Sequence, residues 1–429
     1  MSTTATVARH HRNSERAFLA DAFDGLRALS VDGPGVTRES YGPGEDRALD
    51  FVADLAHREG LTTSLDALKN LVIGLPGEQP GPCILLGSHL DSVPQGGNFD
   101  GAAGVLAGLV TLMRLKEAGI TPPLPVRVLG LRGEESPWFG KAYIGSSALL
   151  GALSAEDLES PHRDTGLSLA ACMERLGIEV ERVRAGERFL DPAGVAAWLE
   201  IHIEQGPVMV ARGFPTAVVT GLRGNVRHRR ILCRGEAGHS GTVPRWLRRD
   251  AVFATAELIG RLDEHWRAML EAGEDLVLTC GVIGTNPAEH AITRIPDEVG
   301  FSFEARSQNR ATLDRLHQLL QEECRTIAAE RGVEFVLDRR VDTAPAAMDE
   351  AWVRHLLELS ARLGLPEETL PSGAGHDAAV FANAGIPSAM IFVRNANGSH
   401  NPHEAMEIED LLAAIDLMHA AVLEPLRAP

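Results

Sequence analysis

Short apolar runs alternate along the chain with segments in which apolar residues recur every three or four positions. The first pattern predicts buried strands at 70–75, 83–88, 126–131 and 388–393. The second predicts helices near 13–29, 45–59, 102–117, 142–151, 349–362 and 407–424. Continuously apolar strands separated by helices are typical of a mostly parallel sheet with helices on both faces. We therefore expect an α/β fold.

A different order of elements occupies residues 220–338. The predicted elements run strand, helix, strand, strand, helix, strand, at 225–235, 248–265, 276–283, 298–306, 310–331 and 333–338. This is the order of a ferredoxin-like α+β domain. We therefore expect residues 220–338 to be an inserted domain, and residues 1–219 and 339–429 to form the α/β domain. Clefts between domains are favoured places for ligand sites.

Composition narrows the possible functions. The chain has 44% hydrophobic and 23% charged residues, the balance of a soluble globular protein. Asp and Glu number 59 against 41 Lys and Arg, and the net charge of −18 would repel nucleic-acid phosphates and anionic membranes. The cysteines number 5 and form no CxxC pair, which excludes a thiolate zinc site and favours a reducing cytoplasm.

Polar side chains capable of binding metal follow the apolar strands. His89 and Asp91 in GSHLDS come directly after the strand 83–88, and Asp100 stands in the glycine-rich GGNFDG before a helix. A carboxylate two residues from a histidine can accept its second N–H and fix the ring, as metal sites require. Alone, each motif is equally a turn from strand to helix with a capping aspartate.

Three further motifs have the same character. Glu134 and Glu135 in LRGEES follow the strand 126–131, so that one can bind a metal while the other holds a proton near a bound water. His202 lies on the polar face of the strand in LEIHIEQG, and His400 in GSHNPHE follows another strand. Each alone has an ordinary alternative, a solvated charge pair or a structural histidine.

Together these residues are harder to explain by structure alone. Histidine and carboxylate ligands without cysteine suit a hydrolytic zinc or manganese site. The set is too large for one tetrahedral ion with an open position. It fits two metals that share a bridging carboxylate and a bridging water.

Several segments resemble the signature motifs of the dinuclear-metal amidohydrolases related to aminoacylases and carboxypeptidases. They are GSHLDSVPQGGNFDGAAGVLAGL, GEES, HIEQGPV, GEAGHSGTVP, SGAGHDAAVF and GSHNPHEA. The resemblance is strongest to the branch of N-carbamoyl-L-amino-acid hydrolases, β-ureidopropionases and allantoate amidohydrolases. It runs in order from about residue 20 to the end of the chain.

The resemblance implies a role for each metal-type residue. Asp100 would bridge the two metals, with His89 and His202 completing one site. Glu135 and His400 would complete the other site. Glu134 would be the general base on the bridging water. Asp91 would orient His89.

The resemblance also implies residues that hold the substrate: Gln205, His239, Arg306, Gly375 and His376. His239 would reach across a homodimer, formed through the inserted domain, to polarise the scissile carbonyl. Arg306 suits a substrate carboxylate because its planar guanidinium can pair in a bidentate manner, although a local salt bridge is the structural alternative.

Two departures from the family pattern fall where the substrate would lie. After the paired glutamates, relatives usually read Gly-x-Arg-Phe, whereas this chain reads SPWFGKAYIG. Relatives often carry an asparagine thirteen residues before the position of Arg306, and this chain has Thr293 there, close to His290. Thr293 is therefore a candidate substrate contact, and the exact substrate stays open.

We predict a cytoplasmic, homodimeric enzyme that uses a metal-bridging water to cleave a non-peptide C–N bond. Its substrate would be an N-carbamoyl-L-amino acid or a related ureide carrying a carboxylate. The alternatives are an N-acyl-amino-acid deacylase or dipeptidase of the aminoacylase type, and a binding or regulatory protein that has lost the chemistry. Two divalent ions are expected per subunit, zinc first, with manganese, cobalt or nickel also accepted by such ligands.

Overall fold

The computed structural model describes residues 3–78 and 80–426, with side chains from residue 12 onward. The chain divides into two compact units. The outer unit consists of Met1–Thr220 and Ala347–Pro429, and the inserted unit of Gly221–Ala346.

The helices and strands have the following bounds. The helices are α1 (Thr3–Ser30), α2 (Pro43–Arg58), α3 (Ala102–Glu117), α4 (Ile144–Leu149), α5 (Ala155–Leu158), α6 (Leu169–Arg175), α7 (Val180–Arg184), α8 (Val208–Arg212), α9 (Ala251–Glu271), α10 (Arg310–Arg331), α11 (Glu350–Leu363), α12 (Asp377–Asn383) and α13 (Ile408–Leu423). The strands are β1 (Val31–Asp32), β2 (Gly35–Val36), β3 (Thr62–Leu65), β4 (Leu71–Gly74), β5 (Cys83–His89), β6 (Val126–Leu131), β7 (Val195–Ile203), β8 (Thr216–Leu222), β9 (Gly224–Arg234), β10 (Gly238–His239), β11 (Val277–Thr279), β12 (Ile283–Gly284), β13 (Arg294–Ile295), β14 (Glu298–Ser307), β15 (Glu334–Leu337), β16 (Val341–Thr343), β17 (Ala346–Ala347), β18 (Thr369–Ser372), β19 (Ser388–Val393), β20 (Asn395–Ala396) and β21 (Ala405–Met406).

The central sheet of the outer unit has the strand order β17-β8-β19-β7-β5-β6-β4-β3. Its middle strands β19, β7, β5 and β6 run parallel. Antiparallel strands flank them, with β8 on one side and β4 and β3 on the other. The α/β class is confirmed, and the sheet is mixed because antiparallel strands add to both sides of its parallel middle.

Close packing of α3 on the sheet positions the turns that contain the candidate site residues. Strand β5 is buried along its whole length, and most of α3 is buried as well. A Cβ at Gly104 would lie 2.2 Å from the carbonyl oxygen of Ile201, so only glycine allows this helix to lie directly on the strands. The turn before α3 is thereby held at the carboxyl ends of the parallel strands, where open α/β sheets place ligands.

The inserted unit has its own antiparallel sheet, in the order β11-β14-β9-β15. Helices α9 and α10 cover this sheet and share its apolar core. The elements follow one another as strand, helix, strand, strand, helix and strand, the ferredoxin-like order. Strand β16 also pairs with β9, so the unit continues past residue 338 to Ala346.

The described cysteines are not paired in disulfide bonds. Cys83, Cys172, Cys233, Cys280 and Cys324 are all free thiols. Among the residues that the structure describes, none of the helices combines the length and apolar character needed to cross a lipid bilayer.

Candidate metal centre

Asp100 lies at the centre of the candidate site and is only 3% exposed. Its Oδ1 is 3.1 Å from Nε2 of His202 and 3.5 Å from Nε2 of His89. Its Oδ2 is 3.4 Å from Nε2 of His400. The two oxygens of one buried carboxylate therefore face two different sets of potential ligands.

These side chains form groups that could hold metal ions. Ligand atoms within 4.8 Å of one another occur in His89, Asp100 and His202, and again in Asp100, Glu135 and His400. A third group joins Glu200 to His202 and His376. Glu200, however, already accepts hydrogen bonds from Ser88, from the indole of Trp198 and from the backbone of Ala378. We therefore assign Glu200 a structural role.

Asp91 organises one side of the site. Nδ1 of His89 is 3.2 Å both from the backbone carbonyl oxygen of Asp91 and from Oδ1 of its carboxylate, so Asp91 holds the ring with Nε2 directed towards Asp100. The same carboxylate accepts the backbone N–H groups of Glu134 and Glu135, at 3.1 and 3.0 Å, and the hydroxyl of Ser40. One buried side chain thus fixes a histidine and the backbone of both glutamates.

The ring of His202 shows that the residues fit a cation. Its Nδ1 is 2.9 Å from the carbonyl oxygen of Ile203 and must donate to it, which leaves the Nε2 lone pair facing Asp100. This Nε2 is buried and has no hydrogen-bond partner. At 3.1 Å from Oδ1 of Asp100 this nitrogen needs a positive charge beside it, which either a ring proton, favoured because Asp100 raises the pKa of His202 against the effect of burial, or a metal ion supplies. Imidazole and carboxylate donors suit zinc and manganese.

The pKa values in this cluster reflect its excess of carboxylates. Burial raises the pKa of Glu134 well above its usual range, and Glu135 raises it further. Burial and the charge of Asp100 raise the pKa of Glu135 to about 8, and the hydrogen bond to Asp100 raises the pKa of His400 to about 9. At neutral pH both groups hold protons that a bound metal would displace.

Three predicted substrate residues of the outer unit lie beside these ligands. The ring centroid of His376 is 4.2 Å from that of His202, and its Nε2 is 2.9 Å from the hydroxyl of Ser372. Gln205 has a positive φ of 60°, and its Nε2 donates to Oδ2 of Asp100 at 2.8 Å. Its Oε1 is buried without a partner. Gly375 immediately precedes His376.

The other predicted substrate residues belong to the inserted unit. His239 is exposed on β10, and the N–H of the next residue, Ser240, donates to the carbonyl of Thr293 at 2.8 Å. His239 and Thr293 are therefore neighbours. Arg306 on β14 lies with Nη2 3.1 Å from Oε1 of Glu304, which is the local salt bridge considered as its structural alternative.

The SPWFGKAYIG segment is buried in part, at Trp138, Phe139, Ile144 and Gly145. Trp138 and Phe139 are 2% and 4% exposed, and both rings pack on His162. The indole N–H of Trp138 donates to the carbonyl of Ser92 at 2.8 Å. Trp138 and Phe139 therefore belong to the buried core, and the expectation that this departure lies at the substrate stays a prediction.

Tyr143, later in the same segment, is a site residue that the sequence analysis missed. Its φ is 58°, an uncommon conformation for a bulky residue, and its N–H donates to the carbonyl of Glu134 at 2.9 Å. A Cβ at Gly375 would lie 1.6 Å from its hydroxyl oxygen, so the phenol occupies the space of a side chain there. Tyr143 thereby links the turn of Glu134 to the predicted substrate loop.

Glu404 was also missed, although it stands within the GSHNPHE motif. It accepts the backbone N–H of Asp100 at 3.2 Å and the hydroxyl of Ser399. Ser399 in turn lies 2.7 Å from Oδ2 of Asp100. The sequence did contain a signal for Glu404, because it closely follows the predicted ligand His400.

Comparisons with known proteins agree with this geometry. Residues 85–424 match the family described as Peptidase family M20/M25/M40. The chain is 35% identical over 390 residues to an N-carbamoyl-L-amino acid amidohydrolase of Geobacillus stearothermophilus, covering 90% of this chain and 93% of the relative. It is 32% identical over 383 residues to an allantoate amidohydrolase of Escherichia coli (strain K12), covering 89% and 90%.

The fold has a close counterpart among solved structures. A hydantoinase/carbamoylase family amidase from Burkholderia multivorans superposes with a TM-score of 0.84 at 28% identity, covering 95% of this chain and 97% of that one. The chain therefore belongs to the peptidase family M20/M25/M40, in its branch of N-carbamoyl-amino-acid and allantoate amidohydrolases, and is a hydrolase of carbon–nitrogen bonds other than peptide bonds.

Proposed function

We propose that this protein is a two-metal amidohydrolase that cleaves the ureido C–N bond of an N-carbamoyl-L-amino acid or a related ureide. The main observation behind the proposal is that the two oxygens of the Asp100 carboxylate face different residues. One oxygen faces His89 and His202, and the other faces His400. The names of the relatives support the substrate class.

The residues of the outer unit account for the proton transfers. Two divalent ions bound here would lower the pKa of a bound water and polarise the substrate carbonyl. Glu134 takes the proton of the attacking water and returns it to the departing nitrogen. Its burial suits this role, because a raised pKa lets a carboxylate accept a proton near neutral pH. Asp91 holds the backbone of Glu134 in place.

We assign substrate recognition to residues of both units. Arg306 pairs with the substrate carboxylate, and doing so requires it to loosen its contact with Glu304. His239 polarises the scissile carbonyl from the partner subunit of a homodimer, with Thr293 beside it. Gln205, Gly375 and His376 complete the substrate contacts. The cytoplasmic location also stays a prediction.

A substrate panel tests the proposal. The chelator-treated protein, resupplied with zinc or manganese, should hydrolyse N-carbamoyl amino acids or allantoate faster than N-acetyl amino acids or dipeptides. The Glu134→Gln variant, prepared in the same way, controls for contaminating enzymes. Faster turnover of N-acetyl amino acids or dipeptides would instead support the aminoacylase-type alternative.

A subunit-mixing experiment tests the role of His239. Inactive Glu134→Gln and inactive His239→Ala protomers should together regain part of the activity, since one hybrid site contains both native residues. Each variant mixed with itself is the control. No recovery despite demonstrated subunit exchange would contradict action across the dimer.

A further inference from the structure

Arg38 is a fully buried arginine, 0% exposed, on the segment between β2 and α2. Its Nε donates to the carbonyl oxygen of Leu90 at 2.6 Å, and its Nη1 donates to Oδ1 of Asn98 at 3.1 Å. Leu90 is the residue between His89 and Asp91. The Nε–H group of Arg38 therefore binds the turn that carries His89, a predicted ligand, and Asp91, which is predicted to orient it.

The Nη1 group of Arg38 binds the turn that carries Asp100, the carboxylate predicted to bridge the metals. Asn98 precedes Asp100 by two residues, and its Nδ2 donates to the carbonyl of Phe23 at 2.8 Å. This second hydrogen bond sets the orientation of the amide, so that its oxygen faces Arg38. The guanidinium thus connects the two turns, which the chain itself joins only through 93–97.

The backbone of Arg38 strengthens the same connection. Its N–H donates to the hydroxyl oxygen of Ser92 at 2.9 Å, and its carbonyl accepts the N–H of Ser92 at 2.9 Å. Ser92 directly follows Asp91. Both the main chain and the side chain of Arg38 therefore form hydrogen bonds with the turn 90–92.

The charge of Arg38 does not explain its place in the core. Its guanidinium donates to neutral oxygens of Leu90, Ser30 and Asn98, and its Nη2 is buried without a hydrogen-bond partner. The carboxylates that act on it through space belong to the metal centre or adjoin it: Glu404, Asp91, Asp100 and Glu135. A fixed cation this close to a metal centre repels metal ions. What the side chain contributes to metal binding is geometry.

We propose that Arg38 is a positioning residue that ties the His89–Asp91 turn to the Asn98–Asp100 turn and thereby sets the affinity of the centre for divalent metal. The inference rests on the proposed function, because it requires that these turns bind metal. Residues behind metal ligands typically change metal affinity by about 10-fold to 100-fold when they are replaced.

Two variants at position 38 separate geometry from charge. Arg38→Lys keeps the charge but cannot reach both turns with a rigid fork, and Arg38→Met removes the charge as well. Metal-free proteins would be titrated with zinc or manganese against a chromophoric competing chelator. Both variants should bind metal at least about tenfold more weakly than the unaltered protein. Unchanged affinity in Arg38→Lys, or tighter binding in Arg38→Met, would overturn the proposal.

Two further variants distinguish a local change at the metal centre from a general loss of stability. Asn98→Ala keeps the bonds of Arg38 to the turn 90–92 and should weaken metal binding less than Arg38→Lys does. If Arg38→Lys does not fold, unchanged metal affinity in Asn98→Ala would overturn the proposal. Arg114→Met removes a largely buried arginine that pairs with Glu15 and Asp416, away from the ligand turns, and should leave metal affinity unchanged. Equal weakening in Arg114→Met would overturn the proposal. An unaltered protein that binds no divalent metal would overturn the proposed function itself.

Discussion

Each unit of the molecule contains a pair of buried histidines in ring contact, His228 with His317 in the inserted unit and His89 with His202 in the outer unit, where His376 also packs on His202. The two pairs differ in how their nitrogens are matched. In the inserted unit, Nδ1 of His228 is 3.0 Å from Oδ1 of Asp338, and its Nε2 is 3.0 Å from Nε2 of His317. Nδ1 of His317 accepts from Arg340 at 3.2 Å. Burial and Arg340 lower the pKa of His317 to about 4, so its ring is neutral at pH 7.

The pair in the outer unit is incomplete. His89 and His202 have ring centroids 5.8 Å apart, and each directs Nε2 at Asp100. Nε2 of His202 has no hydrogen-bond partner, whereas every ring nitrogen of the inserted-unit pair has one. Burial of histidine therefore does not identify a ligand site. An unmatched nitrogen that faces a carboxylate within a group of metal-type side chains is the feature that distinguishes the outer pair, because such a nitrogen can accept either a proton or a metal ion.

The largest effect is expected from Asp100→Ala. Because this carboxylate faces both ligand groups, its loss should remove most of the bound metal and reduce hydrolysis to background. Metal analysis together with an activity assay would check this. Full retention of both metals would contradict the bridging assignment.

Glu134→Gln should separate chemistry from metal binding. Loss of a general base lowers kcat by about 10²-fold to 10⁴-fold. The metal content should stay nearly unchanged, since the amide preserves the shape of the side chain. If this variant lost both metals, Glu134 would be a ligand and not the base.

Arg306→Lys should have a smaller effect that depends on the substrate. A point charge replaces a two-pronged donor, so kcat/KM should fall about tenfold or more for substrates with a carboxylate. The loss should largely vanish for an amide analogue of the same substrate. Equal fractional losses on acid and amide would show that Arg306 supports the fold through Glu304.

The smallest effect on function should come from the inserted-unit pair. His228→Asn removes the partner of Oδ1 of Asp338 and of Nε2 of His317 and should lower the free energy of unfolding by about 1–3 kcal/mol. Metal content should not change. The matched variant His202→Asn should lose metal from one site. Loss of metal in His228→Asn would break the contrast between the two pairs.

Residue patterns predicted many of the local elements and indicated the candidate ligands, whose role stays a prediction. Helices α3 and α10 have the predicted bounds, 102–117 and 310–331, because their apolar positions repeat with helical spacing. The ligand candidates were found because strand ends and glycine-rich turns are visible in sequence. Strand β3 was missed because it is a short, polar, largely exposed edge strand with little apolar signal.

Contacts between distant segments could not be read in this way. Asp91 holds the backbone of Glu134 across 43 residues, and Arg38 holds Asn98 across 60. Trp138 looked like a substrate-facing change and is a core residue. A one-dimensional pattern reports which residues prefer burial and which can bind metal. It does not report which buried polar group meets which partner, because that depends on the packing of segments far apart along the chain.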